Sequence, residues 1–422
     1  MEIKKINVIN KELNSVIEIP GSKSYTNRAL IIASLANGKS ILKNPLYSDD
    51  TKYMIESLEK LGVKFEKNDK DLVVYGTGGK FNTVDNMELF CGIAGTTSRF
   101  LTGLSVLFKN NVIINGEGKI LERPIGELVD GLKQIGVKIE YLGKEGSLPL
   151  KVNGKNVNGN EISISGKISS QYFTALMMVA PLLKNGLKIR VLDEQISKSY
   201  IDITCDIMKT FGVNVINNNY KEYIIEKSEY KATSYTIEGD WSSASYFMCI
   251  GALHNGIIEI KNLNKNSVQG DRGFAYLIEK IGAEVKYGDN SVIVKGNGKI
   301  KPIITNMESM PDTAMSLAVL LSFAEGESKI MGLSTLKNKE TDRLLALYNE
   351  LKKLSIDSEI GDDYIIVKGG KHRIIGNIET YDDHRIAMSF AVVGTVIDGV
   401  DIVNPAVVGK SFPEFWDYLY NL

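Results

Sequence analysis

The chain has 422 residues, 43% hydrophobic and 24% charged, with 50 Lys and Arg against 51 Asp and Glu for a formal net charge of -1. Such a length exceeds one ordinary core and predicts two domains of about 200 residues each, while the balanced charge argues against a nucleic-acid or membrane-surface protein. Cys91, Cys205 and Cys249 lie far apart, and His254, His372 and His384 make no ligand-spaced pair with them, so a reducing compartment and no zinc site are expected. MEIKKINVIN at the N-terminus has no apolar stretch of signal-peptide length, and runs such as SLAVLLSFAEG are too short to span a bilayer. A cytoplasmic location and no membrane association are expected.

In chain order, the first twenty residues read as two strands with a turn near Asn10 and Asn14. A phrase then recurs: a helix, Leu-Gly-Val or its like, a strand, a polar turn and a second strand. It is written as LEKLGVKFEKNDKDLVVYG, LKQIGVKIEYLGKEGSLPLKVNG, MKTFGVNVINNNYKEYIIEK, IEKIGAEVKYGDNSVIVKG and LKKLSIDSEIGDDYIIVKGG. The pivots Gly62, Gly136, Gly212, Gly282 and Ser355 are 70 to 76 residues apart, too long for a solenoid and suited to a compact βαβ-type unit. A sixth copy stops at the helix PEFWDYLYNL, and the first twenty residues are expected to supply its missing hairpin. GTGGK at 76–80 follows LVVYG without a GK[ST] ending or a following helix and reads as a loop, not a phosphate loop.

A second helix type alternates with the first and closes at a turn, at Gly38, Asn111, Gly186, Gly256, Gly326 and Gly399. Fourteen positions before each turn residue stand Ser24, Thr97, Tyr172, Ser242, Asp312 and Arg385, all polar. Each is expected near the N-terminal end of a buried helix, judging from the apolar, small-residue runs that follow. A helix N-terminus offers free N–H groups and about half a positive charge to an anion. Taken alone, Ser242 or Thr97 is better read as an N-cap. A cap needs neither Lys23 and Arg28 in PGSKSYTNRAL, nor SSQ at 169–171, nor DDHR at 382–385, so a shared anionic ligand is expected. The first helix type carries charge at the same end. Arg123 precedes Pro124, which suits a first helical turn, and Ser197 and Tyr200 lie in SKSYIDI. Lys339, Glu340, Asp342 and Arg343 lie in NKETDRLL, and Lys410 in GKSFPEF. Glu340, flanked by cations, is a candidate for proton transfer.

The sequence resembles the 5-enolpyruvylshikimate-3-phosphate synthase (3-phosphoshikimate 1-carboxyvinyltransferase) family of enolpyruvyl transferases. The motifs PGSKSYTNRAL, AGTTSRF, ERPI, SSQYFTAL, SKSYIDIT, EGDWSSASY, MPDTAMSL, KETDR, DDHRIAM and GKSFPEF follow one another in the family's order from residue 20 to the C-terminus. The resemblance implies a two-domain inside-out α/β barrel of six βαβαββ units, three per domain. The N-terminal domain would be residues 21–239, and residues 1–20 plus 240–422 the C-terminal one. It also implies transfer of the enolpyruvyl group of phosphoenolpyruvate to the 5-hydroxyl of shikimate 3-phosphate with release of phosphate, in a monomer, with no metal or organic cofactor. By the same resemblance Ser169, Ser170, Ser197, Tyr200, Arg28, Ser24 and Lys339 would hold shikimate 3-phosphate. Arg123, Arg343, Arg385, Lys410, Lys23 and Gly95 would hold phosphoenolpyruvate, with Gln171 between them. The catalytic assignments are Asp312 as base toward the 5-hydroxyl, Glu340 as acid at carbon and Lys23 as an aid to proton movement and phosphate departure; His384 would orient its neighbours.

Departures are Ile93 and Thr335 at positions where the family usually has Asn, and Trp241 and Tyr25, bulkier than the usual residues; Ile93 puts one hydrogen bond near phosphoenolpyruvate in question. The related UDP-N-acetylglucosamine enolpyruvyl transferases resemble a Lys-Asn pair at the first motif and carry a loop Cys, whereas here the pair is Lys23–Ser24 and NGEGKILE has no Cys. A non-catalytic anion sensor would gain nothing from Asp312 and Glu340. Cations in both domains are also expected to hold the free protein open until an anionic ligand arrives.

Overall fold

The computed structural model describes residues 2–422. The chain divides into two compact units, Gly21–Ile237 (the inserted unit) and Met1–Pro20 with Glu238–Leu422 (the split unit).

The inserted unit holds three four-stranded sheets, each built from one parallel strand pair and one antiparallel hairpin. In one of them Met87–Phe90 runs parallel to Val112–Asn115, which pairs antiparallel with Leu150–Asn153, which closes a hairpin with Lys138–Tyr141. Inward residues alternate along these strands, as at Val112 and Ile114 or Leu150 and Val152, because one face covers a helix and the other meets water. The crossover helices Lys23–Leu35, Gly95–Leu104 and Ser170–Val179 are buried along nearly their whole length, polar residues such as Asn27, Arg28, Ser98 and Arg99 included. The split unit repeats the scheme with two four-stranded sheets and a two-stranded one. Its inner helices are Trp241–Leu253, Ala314–Leu321 and His384–Gly394. The second helices, such as Asp49–Lys60, bury one face only.

All five pivots have positive φ, from 61° at Ser355 to 123° at Gly282. They follow helices ending at Lys60, Gln134, Thr210, Lys280 and Lys353, the left-handed position where glycine ends a helix without a Cβ clash. The sequence period is therefore a period of helix C-termini.

The first twenty residues do not form a hairpin. Ile3–Lys5 pairs antiparallel with Asp401–Val403 and so extends the sixth unit's sheet, while Leu13–Glu18 runs parallel to Gly256–Lys261. The chain exchanges strands at the unit boundary. Leu13–Glu18 precedes the helix Lys23–Leu35 in sequence but lies in the sheet behind Trp241–Leu253. Ser234–Thr236 precedes Trp241–Leu253 but pairs parallel with Asn37–Lys43. In the split unit this crossing is tied where Asp240 N donates to Pro20 O at 3.1 Å. The α/β class holds, with strands divided among six separate sheets; among the described residues no ring of strands closes. No helix among them is long and apolar enough to cross a membrane.

Candidate active site

Ser24, Thr97, Tyr172, Ser242 and Arg385 stand in the first turns of the inner helices, and Asp312 stands in the short 3-10 turn Pro311–Thr313 that leads into Ala314–Leu321. Ser242 and Thr97 do not act as N-caps. Asp240 accepts from the amides of Ser242 and Ser243, Asp383 from that of Arg385, and Ser169 from that of Gln171. Asp240, as the cap, also accepts from the Ser242 hydroxyl, while Thr97, whose helix follows Ala94 and has no side-chain cap, donates to Asp50 O at 3.1 Å.

In the inserted unit, Arg28 is buried between three helices. Its Nε donates to Thr204 Oγ1 at 2.9 Å, Nη1 to Ser24 O at 2.9 Å, and Nη2 to Thr174 Oγ1 and Tyr200 O, each at 3.3 Å. It also lies against the rings of Phe100 and Tyr200. These partners are neutral, and burial brings the guanidinium down to about 10, still charged at neutral pH and ready for an anion. Ser197, left-handed at φ 52°, starts the helix Lys198–Thr210 that carries Tyr200. Ser170 opens the helix Ser170–Val179, with Ser169 as its cap.

Gln171 joins a second group. Arg99 Nη1 donates to Gln171 Oε1 at 2.7 Å, Arg99 Nη2 to Pro124 O at 3.4 Å, and Gln171 Nε2 to Thr96 Oγ1 at 3.2 Å. A Cβ built on Gly95 would lie 2.7 Å from Arg123 Nη1 and 2.9 Å from Arg99 Nη1. Two guanidiniums thus converge over a helix N-terminus whose first residue has no side chain, a ready anion site. Lys23 pairs with Asp50 at 3.2 Å.

In the split unit, the charged residues form one connected network. Asp312 Oδ1 accepts from Lys339 Nζ at 3.2 Å and Arg343 Nη1 at 3.0 Å, and its Oδ2 from Arg385 Nη2 at 3.1 Å. Glu340 Oε2 takes Arg343 Nη2 at 2.9 Å, and Oε1 takes Lys410 Nζ at 3.0 Å. Arg343 Nε donates to Asp383 Oδ2 at 2.7 Å, and Arg385 Nη2 to Ser242 Oγ at 3.1 Å. Burial alone would push the Asp312 carboxyl up, but Arg385, Lys339 and Arg343 together hold it well below the usual carboxylate range. Arg343 is raised: desolvation, which opposes its charge, is outweighed by Asp383, Glu340 and Asp312. His384, buried, has Nδ1 4.0 Å from Asp383 Oδ1.

All seventeen residues expected at a site fall into these two sets, ten in the inserted unit and seven in the split unit. Some local expectations change. Lys339 and Glu340 lie in the segment before the helix Arg343–Lys353, because Asp342 caps it by accepting from Leu345 N at 3.1 Å. Pro124 likewise lies before its helix, Gly126–Gln134, and Lys410 ends the 3-10 segment Pro405–Lys410. Within the split unit Lys339, Arg343, Arg385 and Lys410 are each paired with Asp312, Glu340 or Asp383. Sequence reasoning did not single out Asp50, Arg99, Asp240 or Asp271. Arg99 lay in plain view in AGTTSRF and Asp240 in EGDWSSASY, whereas Asp50 gave no signal beyond the doublet Asp49–Asp50. Among the described residues no group of His, Cys, Asp and Glu is arranged to hold a metal ion.

A family model described as EPSP synthase (3-phosphoshikimate 1-carboxyvinyltransferase) matches residues 8–419. Among relatives, the 3-phosphoshikimate 1-carboxyvinyltransferase of Vibrio vulnificus is 43% identical over 416 residues, covering 98% of this chain and 97% of that protein. That of Colwellia psychrerythraea is 42% identical over 423 residues, 99% of each. A solved structure of EPSP synthase from Acinetobacter baumannii has a TM-score of 0.83 at 22% identity, covering 100% of this chain and 98% of that one. The enolpyruvyl transferase NikO from Streptomyces tendae has a TM-score of 0.79 at 15% identity, covering 100% and 97%. At these identities the two structures bear on the fold.

Proposed function

The chain belongs to the EPSP synthase family, and from that premise we propose that it moves the enolpyruvyl group of phosphoenolpyruvate to the 5-hydroxyl of shikimate 3-phosphate, releasing phosphate. The observation that carries the mechanism is a pair of carboxylates, Asp312 and Glu340, each held by the cations that anionic substrates would claim.

Each substrate carries a phosphate of about -1.5 to -2 and a carboxylate. Arg28, the Ser169–Ser170 pair, Ser197, Tyr200, Ser24 and Lys339 take shikimate 3-phosphate in this reading. Arg123, Gly95, Lys23, Arg343, Arg385 and Lys410 take phosphoenolpyruvate, and Gln171, braced by Arg99, contacts both. Without substrate Asp312 is a poor base, since three cations stabilise its ionised form. Substrate anions that engage Arg343, Arg385 and Lys339 weaken that stabilisation and raise its proton affinity. Glu340, released from Arg343 and Lys410 in the same way, can then carry a proton to carbon. The carboxylates become reactive only when substrate charge has arrived.

In the addition step Asp312 takes the proton of the 5-hydroxyl as its oxygen bonds to C2 of phosphoenolpyruvate, and Glu340 delivers a proton to C3. The cation-like C2 centre is stabilised by the adjacent carboxylates. In the elimination step C3 returns a proton to Glu340, the C2–O bond to phosphate breaks, and the proton taken by Asp312 passes to the departing phosphate, with Lys23 assisting that transfer and stabilising the leaving anion. His384 orients Asp383, and through it Arg343. The enzyme acts as a monomer in the cytoplasm and uses neither metal nor organic cofactor.

The test is phosphate release from phosphoenolpyruvate, with shikimate 3-phosphate and separately with UDP-N-acetylglucosamine as acceptor. Release with the first only is expected; release with the second only would overturn the reading.

A further inference from the structure

Asp271 is an acid buried behind this network that the mechanism above does not use. It lies in the turn Gly270–Arg272, which packs against the helix Trp241–Leu253. The turn is anchored on both sides. Gln269 Oε1 accepts from Trp241 N at 3.1 Å, and its Nε2 donates to Gly239 O at 2.9 Å and Glu238 Oε1 at 2.6 Å. Beyond Asp271, a Cβ on Gly273 would touch Met310 Sδ at 3.3 Å, two residues before Asp312. The backbone on both sides of Asp271 is thus held, the residue is only 8% exposed, and its Oδ1 is buried with no hydrogen-bond partner among the described residues. A buried, unpartnered carboxylate oxygen is costly unless the group carries a proton.

We propose that Asp271 is a positioning residue for the proton transfer: it holds a proton behind Asp312 and, by giving it up, sets how readily Asp312 accepts the proton of the attacking hydroxyl. This rests on the functional reading above. The groups whose charge it feels are Asp312 from the turn Pro311–Thr313, Asp240 from the start of Trp241–Leu253, Arg385 from His384–Gly394 and Lys339 from the segment before Arg343–Lys353. Glu238 lies on the other side of Gln269. Burial first, then the like charge of Asp312, brings the Asp271 carboxyl up to about 7. Neutral Asp271 leaves Asp312 to its three cations and a weak base. Ionised Asp271 competes for Arg385 and Lys339 and adds a like charge, so Asp312 becomes more basic. Turnover therefore rises as pH passes 7.

The experiment is the pH profile of kcat and KM for wild type and Asp271→Asn, which keeps the shape and fixes the neutral state. The wild-type kcat should show an inflection near pH 7. Asp271→Asn should match wild type at pH 6, lack the inflection, and fall about three- to tenfold below it at pH 8, with both KM values within twofold. An unchanged inflection in Asp271→Asn overturns the inference. Two readouts do not need turnover. The wild-type protein should show the infrared C=O band of a protonated carboxyl at pH 6, fading through pH 7, and its absence overturns the inference even if the variant fails to fold. A folded Asp271→Asn should gain thermal stability over wild type as pH rises from 5 to 8, because an acid whose folded pKa is raised costs stability progressively between its unfolded and folded values. A wild-type protein that releases no phosphate with shikimate 3-phosphate refutes the functional reading instead, and these two readouts still judge Asp271.

Discussion

Arg343 donates from Nε to Asp383 Oδ2 at 2.7 Å, and both side chains are withdrawn from water, at 2% and 0% exposure. That bond fixes the guanidinium plane so that its two remaining nitrogens meet Asp312 and Glu340. One arginine thus orients both proposed catalytic carboxylates through a third that never needs to touch substrate.

Replacing Arg343 by Met should cost about 3–5 kcal/mol at pH 7, the scale for removing one member of a buried ion pair and leaving the other charged. The sign with pH follows from Asp312. Its folded value is depressed, so its contribution is present above the unfolded value of about 4 and is lost as pH falls through the folded value. Urea unfolding of Arg343→Met and wild type should therefore converge under acid conditions; a constant gap from pH 7 to pH 3 would contradict this.

Glu340→Gln keeps the shape of the residue between Arg343 and Lys410 but cannot carry the proton. Substrate binding should survive while kcat falls by about 10²-fold or more. Normal turnover in the variant would make Glu340 structural.

Among the described residues the partners of Arg28 are hydroxyls, carbonyls and rings, so its charge is available to a phosphate. Arg28→Ala should weaken shikimate 3-phosphate binding by at least about 2 kcal/mol, the scale of a charge-assisted contact left unmade. Calorimetric titration giving wild-type affinity would move the phosphate site elsewhere.

Gly95→Ala would put a methyl 2.7 Å from Arg123 Nη1 and 2.9 Å from Arg99 Nη1, closer than carbon and nitrogen can pack. The guanidiniums must shift. KM for phosphoenolpyruvate should rise about tenfold or more, while the affinity for shikimate 3-phosphate changes little; the reverse pattern in steady-state kinetics would reassign the Arg123 group.

The repeat and the polar first turns were legible because helix C-termini demand a residue that tolerates left-handed backbone at a fixed place in every unit, even at Ser355, where φ is 61°. Ser24, Thr97, Tyr172, Ser242, Asp312 and Arg385 could then be found by counting back. The exchange of Leu13–Glu18 for Ser234–Thr236 was not legible. Each is the outermost strand of its sheet and pairs on one side only, so its alternation fits either neighbour. Nor could the local pattern reveal Lys23 with Asp50 or Arg99 with Gln171, since each pair joins the starts of two helices far apart in sequence. Asp271 was hidden for the same reason: in VQGDRG it reads as a polar turn, and only the packing of that turn buries it.

Transfer by addition and elimination has a direct signature in deuterated water. Delivery of a deuteron to C3 from a solvent-exchanged Glu340 makes a CH2D methyl group, and loss of either of its two protium atoms on elimination leaves deuterium in the product. Proton NMR of the wild-type enzyme with phosphoenolpyruvate and shikimate 3-phosphate should therefore show a new enolpyruvyl ether at the 5-position, its methylene partly deuterated, with one phosphate released per ether formed. An ether whose methylene carries no deuterium, or phosphate release without any ether, would contradict the account.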